Sequence, residues 1–483
     1  MGASRWDTRA RALGVCLVSA FMTGLDVSIV NVALPSIRHG LGATEDGLQW
    51  SVSGYALTFG LLLVPAGRLG DARSRRTIFL WGVVLFTLAS AACGFAWNIH
   101  LLLVSRLLQG MAAGMLNPQV SGMIQQMYRG HERGRAFGAL GATIGVSTAA
   151  GPMIGGALVT AFGHGDGWRW VFLVNLPIGM VLLPLAWRLL PRPQLVHRRE
   201  SLDPVGTLLL GAGVAGLLLP VIQRHQWEGA AKWLLIPAAL AVLAGFVTWE
   251  RFYRREPLVD LALFRRRSYR LGATIALFYF SGFTGIFFIF TMYLQIGLHY
   301  SPLMAGLSIT PFALGSATAA VVGGGLVSRM GRRLTTTGLT MVIAGLFATM
   351  VATVLVPGRG AGLATALPLL VAGLGSGLVI SPNQAITLSE VPPAGGGSAA
   401  GVLQTGQRLG SAIGIAAAGS TFFAAERDGW DTAFRHGLTV VLASILVALA
   451  VATYDLIRTH RDATPLASQP ATDPPDPDRP DRE

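Results

Sequence analysis

The sequence predicts an all-α integral membrane protein of fourteen transmembrane helices, and three observations carry that class. Of its 483 residues, 52% are hydrophobic and only 13% charged, with a mean hydropathy of +0.55, too apolar for an ordinary soluble domain. Apolar runs long enough to cross a bilayer recur along nearly the whole chain. The cationic residues also sort to one side of those runs, the positive-inside pattern.

The runs fall near 11–35, 49–69, 77–97, 101–127, 136–161, 169–190, 204–223, 231–250, 270–296, 304–328, 335–356, 363–388, 398–424 and 435–457. Starting inside places both termini inside. Most arginines then lie in the N-terminus, in the connections near 68–76, 129–135, 188–199, 251–270 and 329–333, and in the C-terminal segment. Arg38, Arg169, Arg224, Lys232, Arg359, Arg427 and Arg435 fall outside, while Arg106 and Arg408 lie within spans. The formal net charge of +13 is thereby explained as topology, with no nucleic-acid partner. Lys232 is the single lysine among 37 cationic residues, a composition that suits a GC-rich bacterial genome. Cys16 and Cys93 both sit in apolar runs, so no disulfide framework is implied. The segment before the first span is short and basic, and that span is too long for a cleaved signal peptide. Residues 458–483, rich in Pro and Asp, predict a disordered cytoplasmic tail.

The first span closes on Leu25-Asp26-Val27-Ser28-Ile29-Val30-Asn31-Val32-Ala33-Leu34-Pro35. A carboxylate near the middle of a span costs roughly 2.5–3.5 kcal/mol on insertion scales. Such residues face a bundle interior or a wet cavity and mark an ion or substrate path; the plain alternative for Asp26 is a structural cap. Span four supplies a second buried charge in Arg106-Leu107-Leu108-Gln109-Gly110. At about 1.5 Å per residue, Arg106 lies roughly 8 Å and Asp26 roughly 13 Å below the outer ends of their spans, within reach of one another if the helices are neighbours. Gln109 shares the face of Arg106. An adjacent guanidinium favours the charged acid and burial the neutral one, the balance a proton site needs; a permanent buried pair that only fixes packing is the alternative.

After span two comes Gly67-Arg68-Leu69-Gly70-Asp71-Ala72-Arg73-Ser74-Arg75-Arg76, and after span ten Gly324-Gly325-Leu326-Val327-Ser328-Arg329-Met330-Gly331-Arg332-Arg333. This internal repeat makes spans two and ten equivalent members of two six-span halves, with spans seven and eight inserted, as in transporters built of related halves. The first copy resembles the Gly-x-Leu-x-Asp-x-x-Gly-Arg-Arg loop of the major facilitator superfamily, matching at Gly67, Leu69, Asp71, Arg75 and Arg76. Ser74 replaces its glycine, which predicts a looser turn, and Ala72 replaces a basic residue. The second copy has Ser328 where the acid would be. The resemblance implies a cytoplasmic gate, in which Asp71 pairs with arginines and a neighbouring helix end; anchoring on anionic lipid is the blander role.

Span five carries Ser147, Gly151 and Gly155 at every fourth position, small residues that let helices approach closely, and Pro152, which permits a kink. Its ending, Gly151-Pro152-Met153-Ile154-Gly155-Gly156, resembles the motif of the family's antiporters, implying export rather than uptake. Trp168 to Pro177 resembles the start of span six in the fourteen-span drug:proton antiporters, a subgroup whose span-one signature Leu25–Pro35 is also similar to. Asp203-Pro204 reads as a cap and first turn opening the inserted pair.

The expected organisation is a cytoplasmic N-terminus (1–10), a first half (11–190), two inserted helices (204–250), a second half (270–457) and the tail. Candidates for the substrate cavity are Asn31, Phe283, Phe287, Asn383, Gln384 and Arg408. The aromatic residues either stack on flat substrates or pack against lipid, and Arg408, in a Gln-Arg-Leu-Gly pattern that recurs in the subgroup, is a substrate contact or half of a structural pair. Histidines form no metal-ligand cluster, and no phosphate-binding loop supports ATP drive; the expectation is no cofactor, no metal and no enzymatic activity. The resemblance implies a bacterial cytoplasmic-membrane exporter of lipophilic drugs or antibiotics, driven by protons, surrounded by lipid and acting as a monomer. An exporter of one endogenous metabolite or lipid, and a non-transporting scaffold or receptor, remain the alternatives.

Overall fold

The computed structural model describes residues 2–163, 165–192, 203–222, 230–253 and 257–463. Among them there is no strand. The tail from 464 onward, and Arg198, Arg199, Arg224, Arg254 and Arg255 of the expected connections, lie outside the described residues.

Seven helices open the chain: α1 (Gly2–Leu41), α2 (Glu45–Ala72), α3 (Arg75–Gly94), α4 (Ile99–Met127), α5 (Gly130–Phe162), α6 (Gly167–Leu173) and α7 (Asn175–Leu189). Next come α8 (Pro204–Ile222) and α9 (Leu235–Phe252), which pack on each other. The remainder is α10 (Arg267–Met292), α11 (Pro302–Met330), α12 (Arg332–Leu355), the single turn α13 (Ala361–Ala364), α14 (Ala366–Thr387), α15 (Gly396–Ala424) and α16 (Trp430–Ala463). The first set packs as α1 on α5, α2 on α4 and α3 on α4 and α7; the last as α11 and α12 on α14, and α10 on α15 and α16. The two sets meet where α5 runs along α11 and α2 along α15.

Twelve helices among the described residues are long and apolar enough to cross a membrane, so this is a multi-pass membrane protein. Two of the fourteen expected spans fall outside that group. Pro204–Pro220 is apolar but shorter. The 29-residue α15 is long enough, but Gln404, Gln407, Arg408 and its many glycines dilute its apolarity. Three boundaries also differ from expectation. Residues 2–10 are helical and continue into α1, and 458–463 continue α16. Span six is broken at Val174; Pro177, which can donate no N–H, fits the first turn of a new helix and not the interior of an old one.

Small residues set the inter-helix spacing. An ideal Cβ on Gly67 would stand 2.4 Å from the carbonyl oxygen of Gly397, and one on Gly324 2.5 Å from that of Gly134. The two copies of the repeated loop thus begin at equivalent backbone crossings, α2 over α15 and α11 over α5.

Candidate functional site

Asp26 is fully buried on α1, and groups from five other helices of the first set, α2, α3, α4, α6 and α7, gather around it. Arg106 on α4 donates from an Nη to Asp26 Oδ2 at 2.8 Å. Gln109, one turn on, donates from Nε2 to Asp26 Oδ1 at 2.7 Å and accepts from Arg106 at 2.8 Å. Asn175 donates to the same Oδ1 at 3.2 Å and to Ser90 Oγ on α3 at 3.1 Å. The Ser90 hydroxyl donates in turn to the Phe172 carbonyl at 2.8 Å. The Arg106 Nε donates to the Ser51 carbonyl on α2 at 3.0 Å, and its guanidinium lies 4.1 Å from the Tyr55 ring centre. Charge-assisted bonds contribute about 1.5–3 kcal/mol each, so the set offsets the insertion cost of both charges. The helix break at Val174 has a purpose here: it turns the Asn175 amide inward. Sequence reasoning placed Asp26, Arg106 and Gln109 together but missed Ser51, Tyr55, Ser90 and Asn175, which are unremarkable polar residues until the helices are assembled.

The repeated loop forms a second site, at the arginine-rich end. The Asp71 side chain is 1% exposed. Its Oδ1 accepts from Arg75 Nε at 2.9 Å and from the Gly397 backbone N–H at 3.0 Å; its Oδ2 accepts from the Ser398 N–H at 2.7 Å. Gly397 and Ser398 belong to the first turn of α15, where N–H groups lack intrahelical partners and the helix dipole favours an anion. One carboxylate therefore caps a helix of the other set. Arg75 continues across to the carbonyls of Pro393 and Ala394 and bonds the Gly122 carbonyl at 2.9 Å. Arg76 does not cross: it donates to the Trp187 carbonyl and covers the Trp187 ring, tying α3 to α7. The Leu69 carbonyl accepts the N–H of Arg73 and closes α2. Ser74, standing where glycine was expected, is extended and caps α3 through the Thr77 N–H, so the turn needs no glycine. At the second copy, Ser328 meets the His131 ring nitrogen Nδ1 at 2.8 Å, a side-chain contact between α11 and α5 that leaves the α5 terminus without a side-chain cap.

Asp71→Asn removes the charge from this cap and turns an amide N–H toward the α15 donors. Membrane levels are expected to stay normal and the transport rate to fall about tenfold, the effect of roughly 1.4 kcal/mol on the latched state. Wild-type rates at matched levels would leave the loop with a topological role only.

Of the remaining candidates, Gly151 abuts Ser28 and Ile29 of α1, and Gly155 abuts Ile29. Pro152 lies beside Gly306 of α11, and Gly156 has open space around its Cβ direction. Phe283 and Phe287 pack in a ring cluster with Phe312. Asn31 is exposed and reaches only the Val27 carbonyl. Asn383 is not brought to a common cavity with the others: both its amide atoms are engaged, with Arg332 at 2.5 Å and the Gly272 carbonyl at 2.9 Å. Arg332 also holds Asp455 at 2.6 Å, a pair joining α12 to α16. Gln384 and Gln404 both donate to Ser121 Oγ on α4, at 3.1 and 3.2 Å. Arg408 lies over the Phe59 ring at 4.1 Å.

Comparison with known proteins shows the family and the fold. The chain is 38% identical to a probable actinorhodin transporter of Streptomyces coelicolor, over 87% of this chain and 73% of that protein. It is 31% identical to a puromycin resistance protein of Streptomyces alboniger, over 93% and 92%. It superposes on a proton:xylose symporter of the major facilitator superfamily with a TM-score of 0.66 at 16% identity, covering 93% and 95%. The Major Facilitator Superfamily model itself matches residues 16–415. A match over most of the length, joined to a close inter-set backbone crossing at both copies of the repeated loop, leaves one assignment: the chain belongs to the Major Facilitator Superfamily of membrane transporters.

Proposed function

We propose that this protein exports lipophilic organic compounds, antibiotics among them, across the cytoplasmic membrane in exchange for protons. The observation that carries the reading is the buried Asp26 network, the arrangement expected of a proton site and expensive for a scaffold. The names of the Streptomyces relatives support the substrate range. Counting α8 and α15 with the twelve apolar helices gives fourteen spans, in which α1–α7 and α10–α16 are the moving halves and α8–α9 an insertion. The arginine-rich end is cytoplasmic by its charge, so the Asp71 cap is the inner gate and the described conformation has that gate shut. A proton arriving at Asp26 neutralises the acid and releases α1 from α4 through Arg106; its departure restores the tie. Coupling then follows from alternation of the halves about fixed sites, with no cofactor.

Purified protein in liposomes, given an imposed pH gradient and a panel of lipophilic antibiotics, is expected to accumulate at least one compound and to release protons when it does. Collapse of the gradient by a protonophore should stop accumulation. Transport that ignores the gradient rejects proton exchange, and no transport of any compound favours a dedicated metabolite carrier.

A further inference from the structure

Among the described residues three arginines in or at the ends of spans, Arg75, Arg106 and Arg332, are buried, and Arg408 lies partly buried within α15. The three buried ones are neutralised. Arg75 holds Asp71, Arg106 holds Asp26 and Arg332 holds Asp455, each with further acceptors. Arg408 is different. Its contact is the face of Phe59, 4.1 Å from ring centre to guanidinium carbon, and among the described residues it has no hydrogen-bond acceptor and no carboxylate. Tyr55, whose ring stands 6.0 Å from that of Phe59, brings a phenolic hydroxyl to the same region. That hydroxyl belongs to a residue 3% exposed and has no hydrogen-bond partner among the described residues.

The surroundings place this pair in the transport path. Gly401, two turns before Arg408 on the same face of α15, packs on the Leu63 carbonyl of α2. Arg408 therefore lies between the two halves, on the membrane side of the Asp71 cap. Tyr55 and Phe59 are neighbours at 6.0 Å; one carries Arg106 on its face, the other Arg408. Asp26 is engaged with Arg106, Gln109 and Asn175, and no ion pair joins it to Arg408 among the described residues. A cation–π contact returns only part of what a guanidinium loses on leaving water. The region thus holds a net positive charge with a phenolic donor and aromatic faces beside it. It repels organic cations and complements an anion.

Building on the exporter reading, we propose that Arg408 and Tyr55 form an anion subsite, and that the compounds carried bear a carboxylate, sulfonate or phenolate on a flat apolar body. The guanidinium and the hydroxyl take the anionic group, and Phe59 takes the body. Arg408 stands on the opposite half from Asp26, so proton and substrate occupy separate places and communicate through the movement of the halves.

The test is equilibrium binding to the full-length protein in nanodiscs, read by anisotropy, with fluorescein as the planar anion and ethidium as the planar cation. Wild-type protein is expected to bind fluorescein more tightly than ethidium. Arg408→Gln should weaken fluorescein by about 10- to 100-fold, the range of a hydrogen bond to a charged group, and leave ethidium unchanged or tighter. Arg408→Lys should stay within a few fold, and Tyr55→Phe should lose several fold for fluorescein alone. A preference for ethidium, no binding of fluorescein, or equal fluorescein affinity in Arg408→Gln would overturn the subsite. If Arg408→Gln fails to fold, Arg408→Lys and Tyr55→Phe decide the matter. Binding needs neither a gradient nor turnover, so an exporter that moves ethidium refutes this subsite while leaving efflux intact.

Discussion

Asp26→Asn is expected to give a folded, inserted protein that no longer moves substrate against its gradient. Asparagine keeps the volume and an acceptor for Gln109 and Asn175, but it cannot gain or lose a proton. Its amide N–H also points at the Arg106 donor that Asp26 Oδ2 now receives. Breaking a buried pair costs about 3–5 kcal/mol. Here the loss is smaller, because Arg106 retains the Ser51 carbonyl, Gln109 and the Tyr55 face. In the proposed proton cycle the wild type passes through the same electrostatic state. Substrate-induced proton release and gradient-driven efflux in proteoliposomes are the measurements. Coupling at wild-type levels in Asp26→Asn would route the proton elsewhere and leave the α1–α4 pair a structural element.

The second large effect is expected from Gly151→Leu. A Cβ at this position would lie 1.9 Å from Ser28 Oγ, 2.6 Å from Ser28 Cβ and 3.0 Å from the Ile29 backbone nitrogen. The serine side chain can rotate away, though it then forfeits its bond to the Ser147 carbonyl at 3.2 Å. The backbone of α1 cannot move without carrying Asp26, which is fixed two residues before Ser28. Overpacking of this kind costs typically 1–3 kcal/mol, and it is delivered here to the helix that bears the proposed proton site. Transport is expected to fall more than tenfold at matched membrane levels, whereas Gly156→Leu, with open space around it, should be tolerated. Equal activity in both variants would remove the close-contact role of the α1–α5 crossing.

What could be read from the chain divides along physical lines. Buried charges announce themselves, because the bilayer penalises them wherever the fold ends up; Asp26 and Arg106 were legible for that reason. The loop at 67–76 was legible because its residue types repeat at 324–333. The partner of Asp71 was not, since it is a pair of backbone N–H groups on α15, and backbone donors leave no mark in composition. Asn175 and Ser90 were missed because an amide and a hydroxyl are cheap enough in a span to occur without purpose. Asn383 was placed in the substrate cavity for its polarity, yet Arg332 claims it. The count of spans was the weakest inference, because α15 trades apolarity for glycines that let α2 and α10 approach.

The enclosure of Asp71 has a consequence for how the gate responds to its medium. Mobile ions weaken interactions between exposed charges beyond about a Debye length, ~8 Å at physiological ionic strength, but hardly touch a charge that solvent does not reach. With Asp71 sealed beneath Arg75 and the α15 terminus, added salt has little purchase on the α2–α15 contact. On the proposed gate role, swings in ionic strength would pass without altering the fraction of molecules in which this contact is closed.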